Sequence, residues 1–426
     1  MIQGLVCVAA VSTAVNQYIR KMQLANIHLT YCTNVHPGES WRDVFANLEK
    51  YIPELKARLA PDKPFGIGLR LSAQAASELL ENDRLAQFQA WLQQNDLYVF
   101  TLNGFPYGGF HHQVVKDKVY APDWRSRDRL DYTLNLTQIL AALLPAGIDG
   151  GISTLPLSYK PWFAQLSTDD AFKTATRNVA AIAAEMIRIR EQTGKLLHLD
   201  LEPEPDGLIE NTTEVIDFFD SWLLPIGGRY LAEILEISQT VAEILLREHI
   251  RICYDTCHFA VEFEDPKSAF TRLQTAGISI GKIQISAAIR VTLPDEVTQR
   301  QAIGDKLSSF AESTYLHQVI ARSHDGTLHH YSDLSTALPH LAQSTAQEWR
   351  THFHVPIFIH DYQTLQSTQN DIVAVLNLLG KQQCHHLEIE TYTWDILPPA
   401  MKLDLLASIQ REYEWILQHL ATEVTA

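Results

Sequence analysis

The chain has 426 residues, 46% of them hydrophobic and 20% charged, with a formal net charge of −16. That length exceeds one small domain and suits a TIM barrel with insertions, and the composition supplies a substantial core. The acidic balance excludes the Lys/Arg-rich surface needed for nonspecific binding to nucleic acid or anionic membrane. Five scattered cysteines (Cys7, Cys32, Cys253, Cys257, Cys384) argue for a reducing, cytoplasmic setting rather than a disulfide framework.

In chain order, residues 1–21 read as an N-terminal extension ahead of a start at Met22, mildly apolar, without a basic leader and too short to span a bilayer. Residues 22–426 read as a single domain, with no stretch approaching about 18 uncharged apolar residues, so no direct membrane insertion is expected. Strand-like runs follow at 27–34, 65–72, 98–106, 150–156, 196–202, 250–255, 282–286, 352–359 and 386–391. Between most of them lie segments such as SWRDVFANLEKYIPELKARL and DRLDYTLNLTQILAALLP, whose apolar residues recur at helical spacing, with Ser40 as an N-cap. Alternating strand and helix implies a parallel sheet, and the count favours closure into a (β/α)8 TIM barrel. Neither GxGxxG nor GxxxxGK[ST] occurs where a nucleotide site would need it.

Nine runs are one too many for eight strands. The surplus falls in a long insertion after the seventh strand, 291–350, and the run 352–359 belongs to it or to the rim of the barrel. Within it, YLHQVIARSHDGTLHHYSDL reads as a hairpin turning at Asp-Gly. Such an insertion would cover the barrel mouth, where loops carry function.

Three acidic residues stand at the ends of apolar runs: Glu202 after LLHLDL, Asp255 after IRICY and Glu390 after HHLEI. One alone reads equally as a cap or a surface charge. Three together are what a barrel uses to hold a divalent metal (Mn, Mg, Zn or Co) at its C-terminal mouth, because neighbouring strand ends converge there. Gln284 in KIQIS would be the fourth ligand, leaving open positions for substrate. Glu202 and Glu390 would also be the catalytic pair, exchanging a proton with bound substrate.

Other candidates keep two readings each. His258, three residues after Asp255, faces substrate, holds a second metal, or caps a helix. His352 and His354 share a strand face, as a second-metal or proton-transfer element or as two rim histidines. Arg290 grips a substrate carboxylate, phosphate or hydroxyl, or is a solvated loop arginine. Glu210 binds a hydroxyl or is surface charge. Asn34 and His36 end the first strand, and Asn103, Tyr107 and His111 the third; these are specificity candidates, with Gly104, Gly108 and Gly109 permitting close backbone approach.

On these residues the chain resembles the xylose-isomerase-like TIM-barrel superfamily, with its ketose 3-epimerases and endonuclease IV, from about residue 27 to 416. LEPEPDGLIENT is similar to the epimerase segment with a metal Glu and a substrate Glu, matching Glu202 and Glu210. YDTCHFAVEFEDP resembles its Asp-x-x-His segment, matching Asp255 and His258, and LEIETYTW its final strand, matching Glu390. The Gln284-to-Arg290 spacing matches a metal His followed by a substrate Arg, so Gln284 departs from the family. The second and third strands, GIGLRLS and YVFTLNG, lack the two metal histidines of endonuclease IV.

More narrowly, HLTYCTNVHPGESW, PFGIGLRLSAQAA, TLNGFPYGGFH, VYAPDW, STLPLSYK and LEIETYTWDILP resemble the metabolite-traffic protein E family of the Ebo gene cluster. That resemblance implies a sugar-isomerase-like barrel associated with export or modification of a secondary-metabolite precursor, working beside other Ebo-cluster proteins. The expected activity is metal-dependent isomerisation or epimerisation of a polar, polyhydroxylated small molecule or metabolite precursor. The alternatives are a non-catalytic escort in export and, third, a metal-dependent phosphodiester hydrolase.

Overall fold

The computed structural model describes residues 27–111, 113–164, 167–362, 364–379, 384–398 and 404–425; the expected extension at 1–21 lies outside them. Eight parallel strands form the barrel: β1 (His28–Tyr31), β2 (Phe65–Arg70), β3 (Leu97–Asn103), β4 (Gly150–Thr154), β5 (Leu197–Leu201), β6 (Ile250–Asp255), β7 (Ile280–Ile285) and, after the insertion, the strand His386–Ile389. Their order round the ring is first, last, seventh, sixth, fifth, fourth, third, second. This is the (β/α)8 architecture expected from the alternation.

β5 illustrates the sequence logic. In LHLDL every residue is buried, because Leu197, Leu199 and Leu201 alternate with His198 and Asp200, so that one set faces the helical layer and the other the barrel interior. The helix Trp41–Leu59 starts where Ser40 accepts a hydrogen bond from the Asp43 amide at 3.2 Å, and it buries Val44, Leu48, Ile52 and Leu55 at helical spacing.

The ring closes between β1 and β2 largely through side chains. Beyond one bridge, Cys32 to Gly68, the Thr30 hydroxyl donates to the Gly66 carbonyl (3.0 Å) and accepts from the Gly68 amide (2.7 Å). Thr33 Oγ1 accepts from the Arg70 amide at 2.8 Å. Two threonine hydroxyls thus pair backbone groups that would otherwise be buried and unsatisfied.

The insertion is a second, antiparallel sheet of six strands. It comprises β8 (Ala287–Thr292), β9 (Val319–Ser323), β10 (Leu328–Tyr331), β11 (Ala346–Val355), β12 (Asp361–Tyr362) and β13 (Leu365–Ser367); the last barrel strand is accordingly β14. β9 and β10 form the hairpin, with Gly326 at φ +86° in its turn. The run 352–359 is not a barrel strand; its first half ends β11, which pairs with β8 and β9. These strands begin before and end after 291–350, because β7 passes into β8 across the single residue Ser286. Among the described residues no helix is long and apolar enough to cross a membrane.

Candidate active site at the barrel mouth

The strand ends and the second sheet enclose a cavity with about 60 Å³ open to the centre of a water-sized sphere. Glu202, Glu390, Asn34, Asn103, His258, His352 and His354 all line it. Five aromatic side chains, Phe105, Phe110, Tyr120, Tyr315 and Tyr392, supply part of its walls.

Glu390 follows β14 directly. Its Oε1 accepts from Asn34 Nδ2 at 2.8 Å and from Asn103 Nδ2 at 3.1 Å. The two asparagines expected to set specificity therefore grip a carboxylate. Glu202 follows β5, with Oε1 3.7 Å from His258 Nδ1 and Oε2 buried without a hydrogen-bond partner. Burial pushes both glutamates well above the ordinary carboxylate range, reinforced at Glu202 by Asp255 and at Glu390 by Glu202 and Asp255. Asp255 ends β6 and caps the helix Thr256–Val261: its Oδ1 accepts from the amides of Cys257 (2.8 Å) and His258 (3.1 Å) and from Ser286 Oγ (2.5 Å). Burial opposes its ionisation, but His258, His354 and those hydrogen bonds outweigh burial and hold it below its ordinary value. Its Oδ2 is unpartnered.

The three histidines share one design. His258 Nδ1 faces the Pro203 carbonyl (3.2 Å), His352 Nδ1 the Gln318 amide oxygen (2.9 Å) and His354 Nδ1 the Glu390 carbonyl (2.6 Å). Each oxygen can only accept, so each Nδ1 carries the proton and each Nε2 keeps a lone pair. Nε2 of His352 and of His354 is buried without a partner. Burial lowers all three, His258 to about 4, so they are neutral imidazoles. His258 reaches the cavity from the helix that Asp255 caps, and His352 and His354 from β11, whose register with β8 shifts between Thr351 and Val355, a bulge that re-aims side chains.

Sets of donors lie within 4.8 Å of one another: Asp255 with His258 and His354, and Glu204 with His258 and His352. Unpartnered carboxylate oxygens beside lone-pair imidazole nitrogens, in a buried acidic pocket, fit a divalent cation. Gln284 is not among them. It is fully buried, outside the cavity lining, with its amide oxygen taken by the Cys253 thiol at 3.1 Å. The imidazole of His354, from the insertion, faces the cavity where the seventh strand has none.

Five other expected residues also lie away from the cavity lining, Asp255 among them, fully buried just behind it. Arg290, on β8, ion-pairs with Glu348 (3.2 Å), and Glu210 with Lys160 (2.5 Å). His36 bonds Tyr31 (2.8 Å) and stacks on Tyr51. His111, also outside the lining, packs against Phe110 with ring centres 5.1 Å apart. Conversely Glu204 lines the cavity, pushed up to about 8 mainly by burial. Its signal was present in LEPEP, two residues beyond Glu202, the spacing that repeats a face in extended chain. Beneath the mouth, Lys282 Nζ bonds Glu388 (2.6 Å) and Ser153 (2.9 Å), all fully buried.

No family model matches the chain, and no curated protein matches it in sequence. Solved structures do. A xylose isomerase-like TIM barrel protein from Mycobacterium smegmatis in complex with magnesium is 10% identical, with a TM-score of 0.50 over 94% of this chain and 99% of that one. An L-ribulose 3-epimerase is 12% identical, TM-score 0.47, over 93% and 95%. The probable 3-DHS dehydratase AsbF of petrobactin synthesis from Bacillus anthracis is 10% identical, TM-score 0.45, over 92% and 99%. The fold is that of the xylose-isomerase-like TIM barrels.

Proposed function

We propose that this barrel is a metal-dependent isomerase or epimerase of a small, polar, polyhydroxylated molecule. The observation that carries the reading is the buried meeting of Glu202, Asp255 and Glu390 at one mouth, with Asp255 raising Glu202 and both of them raising Glu390. Asp255, His258 and His354 would hold the cation, with Glu202 and Glu390 beside it. When bound, such an ion supplies Lewis-acid polarisation of a substrate carbonyl or hydroxyl oxygen.

The chain's own groups do the rest. With Glu390 Oε1 tied to Asn34 and Asn103, Oε2 is left to exchange a proton with a substrate carbon. Glu202 answers as its counterpart. Raised carboxyl values suit both for proton transfer near neutral pH. The aromatic walls exclude water and offer flat faces to the C–H side of a polyol. No arginine is among the lining residues, and Lys116 is engaged by Asp333 at 2.7 Å, which favours an unphosphorylated substrate. We place the protein in the cytoplasm, in line with four buried free cysteines, and beside Ebo-cluster partners on the sequence resemblance.

A non-catalytic escort is the second reading, favoured by Gln284 facing Cys253 instead of the cavity. Solvent deuterium exchange into a panel of unphosphorylated ketoses and polyols, with Mn²⁺, Mg²⁺, Zn²⁺ or Co²⁺, separates the two. Metal-dependent exchange at carbon, lost by at least about 100-fold in Glu390→Gln as removal of an acid/base group predicts, supports the enzyme. Binding without exchange in any metal supports the escort.

A further inference from the structure

At the opposite end of the barrel lies a polar cluster that the proposed reaction does not use. Asp149, the residue before β4, places Oδ1 3.3 Å from His386 Nε2 and Oδ2 3.5 Å from His198 Nε2. One donor atom from each of the three lies within 4.8 Å of the other two. His198 Nε2 and both ring nitrogens of His386 lack a well-aligned hydrogen bond, on residues 0% and 1% exposed. Burial opposes ionisation of Asp149, but the two rings hold its carboxylate well below its ordinary range by their proximity. Two buried rings thus converge on one carboxylate at distances longer than a good charge-assisted hydrogen bond.

The surroundings are built for this. Asp200 Oδ1 holds His198 Nδ1 at 2.6 Å, the carboxylate–histidine arrangement that fixes a tautomer and leaves Nε2 as the donor nitrogen. Space for the pair comes from two glycines: a Cβ at Gly151 would stand 2.5 Å from His198 Cε1, and one at Gly281 2.6 Å from His198 Nδ1. A tetrahedral ion with bonds of 2.0–2.1 Å separates its ligands by about 3.4 Å, close to the 3.3 Å between Asp149 Oδ1 and His386 Nε2. The Asp149 side chain is 29% exposed, so an ion has a route from solvent. Arg251 donates to its Oδ2 at 2.8 Å and leaves Oδ1 for a ligand role.

We propose that Asp149, His198 and His386 form a second cation site, of the two-imidazole, one-carboxylate class that suits zinc, stapling the base of the barrel. β14 and β4 lie four places apart in the ring of eight, so the ion joins opposite walls. Lying at the N-terminal face, it serves stability and not chemistry.

Cobalt(II) titration of the full-length chain, stripped of metal and with the mouth disabled by Asp255→Asn and His354→Gln, tests this independently of the proposed reaction. One equivalent is expected to bind with the visible absorption of a tetrahedral site and to be lost on adding Asp149→Asn. Asp200→Asn should weaken it by about 10- to 100-fold, the usual effect of removing a partner that orients a ligand. No cobalt absorption in the mouth-disabled chain, or absorption that survives Asp149→Asn, overturns the site. Should the mouth variants not fold, zinc counting decides: Asp149→Asn alone must bind one equivalent fewer than the unaltered chain, and an equal count overturns the proposal.

Discussion

Glu204 and Glu412 are two of the buried carboxyls that shape the chain's response to pH, beside Glu202, Glu262 and Glu390. Glu204 and Glu412 are each pushed up to about 8 from an ordinary 4.5, burial outweighing the hydrogen bonds that oppose it. A carboxyl raised on folding contributes stability fully below about 4.5 and loses it as pH climbs through 8. His258 works from the other side: lowered from 6.5 to about 4 by burial, it contributes above 6.5 and loses that as pH falls through 4. Metal-free protein is therefore expected to lose a few kcal/mol between pH 5 and 8, followed by denaturant titration at each pH. Glu412→Gln should flatten that slope. Glu412 accepts from Thr391 Oγ1 (2.7 Å) and the Ile357 amide (3.3 Å), bonds that a glutamine oxygen can keep. A slope unchanged in Glu412→Gln would remove that residue from the account.

Among elements, the seam between β1 and β2 rests on Thr30, whose hydroxyl serves one carbonyl and one amide. Thr30→Val keeps the shape and strands both, so a loss of about 1–3 kcal/mol is expected by equilibrium unfolding; an unchanged midpoint would mean that the seam is held otherwise. The barrel strands were legible because each is a short, buried, β-rich run followed by a helical period. The three carboxylates were legible because strand ends converge in any such barrel. Which side chain near the seventh strand faces the cavity was not. His354 lies 70 positions beyond Gln284, and no local pattern says which of them turns inward. That depends on a bulge in β11, which long-range pairing with β8 creates. Nor did local sequence reveal all six strands of the insertion: in LHHY of β10, three of the four residues are exposed and none is buried, so no apolar alternation marks it. Arg290 likewise follows its β8 partners and meets Glu348 on the far strand.

At the scale of the whole molecule, a buried knot of acidic groups in a chain of net charge −16 would have its worst repulsion relieved by the proposed cation. Manganese at about 100 times its dissociation constant should stabilise the folded state by about 2.7 kcal/mol, read as a rise in melting temperature. Because the raised carboxyls give up protons on binding, that rise should grow from pH 6 to pH 8; a rise independent of pH would show that the ion binds elsewhere.

The bond from His354 Nδ1 to the Glu390 carbonyl, with the Thr393 hydroxyl returning to the His354 carbonyl, stitches the second sheet to the eighth strand on both sides of one histidine. That edge is fastened at two points. At the opposite rim Tyr315 reaches the Phe110 carbonyl at 3.0 Å, and the amides of Val115 and Lys116 both donate to the Thr314 carbonyl (2.7 and 3.0 Å). A visitor would then enter between two tied edges, and the gap they leave, more than the chemistry behind it, would choose among guests of similar polarity.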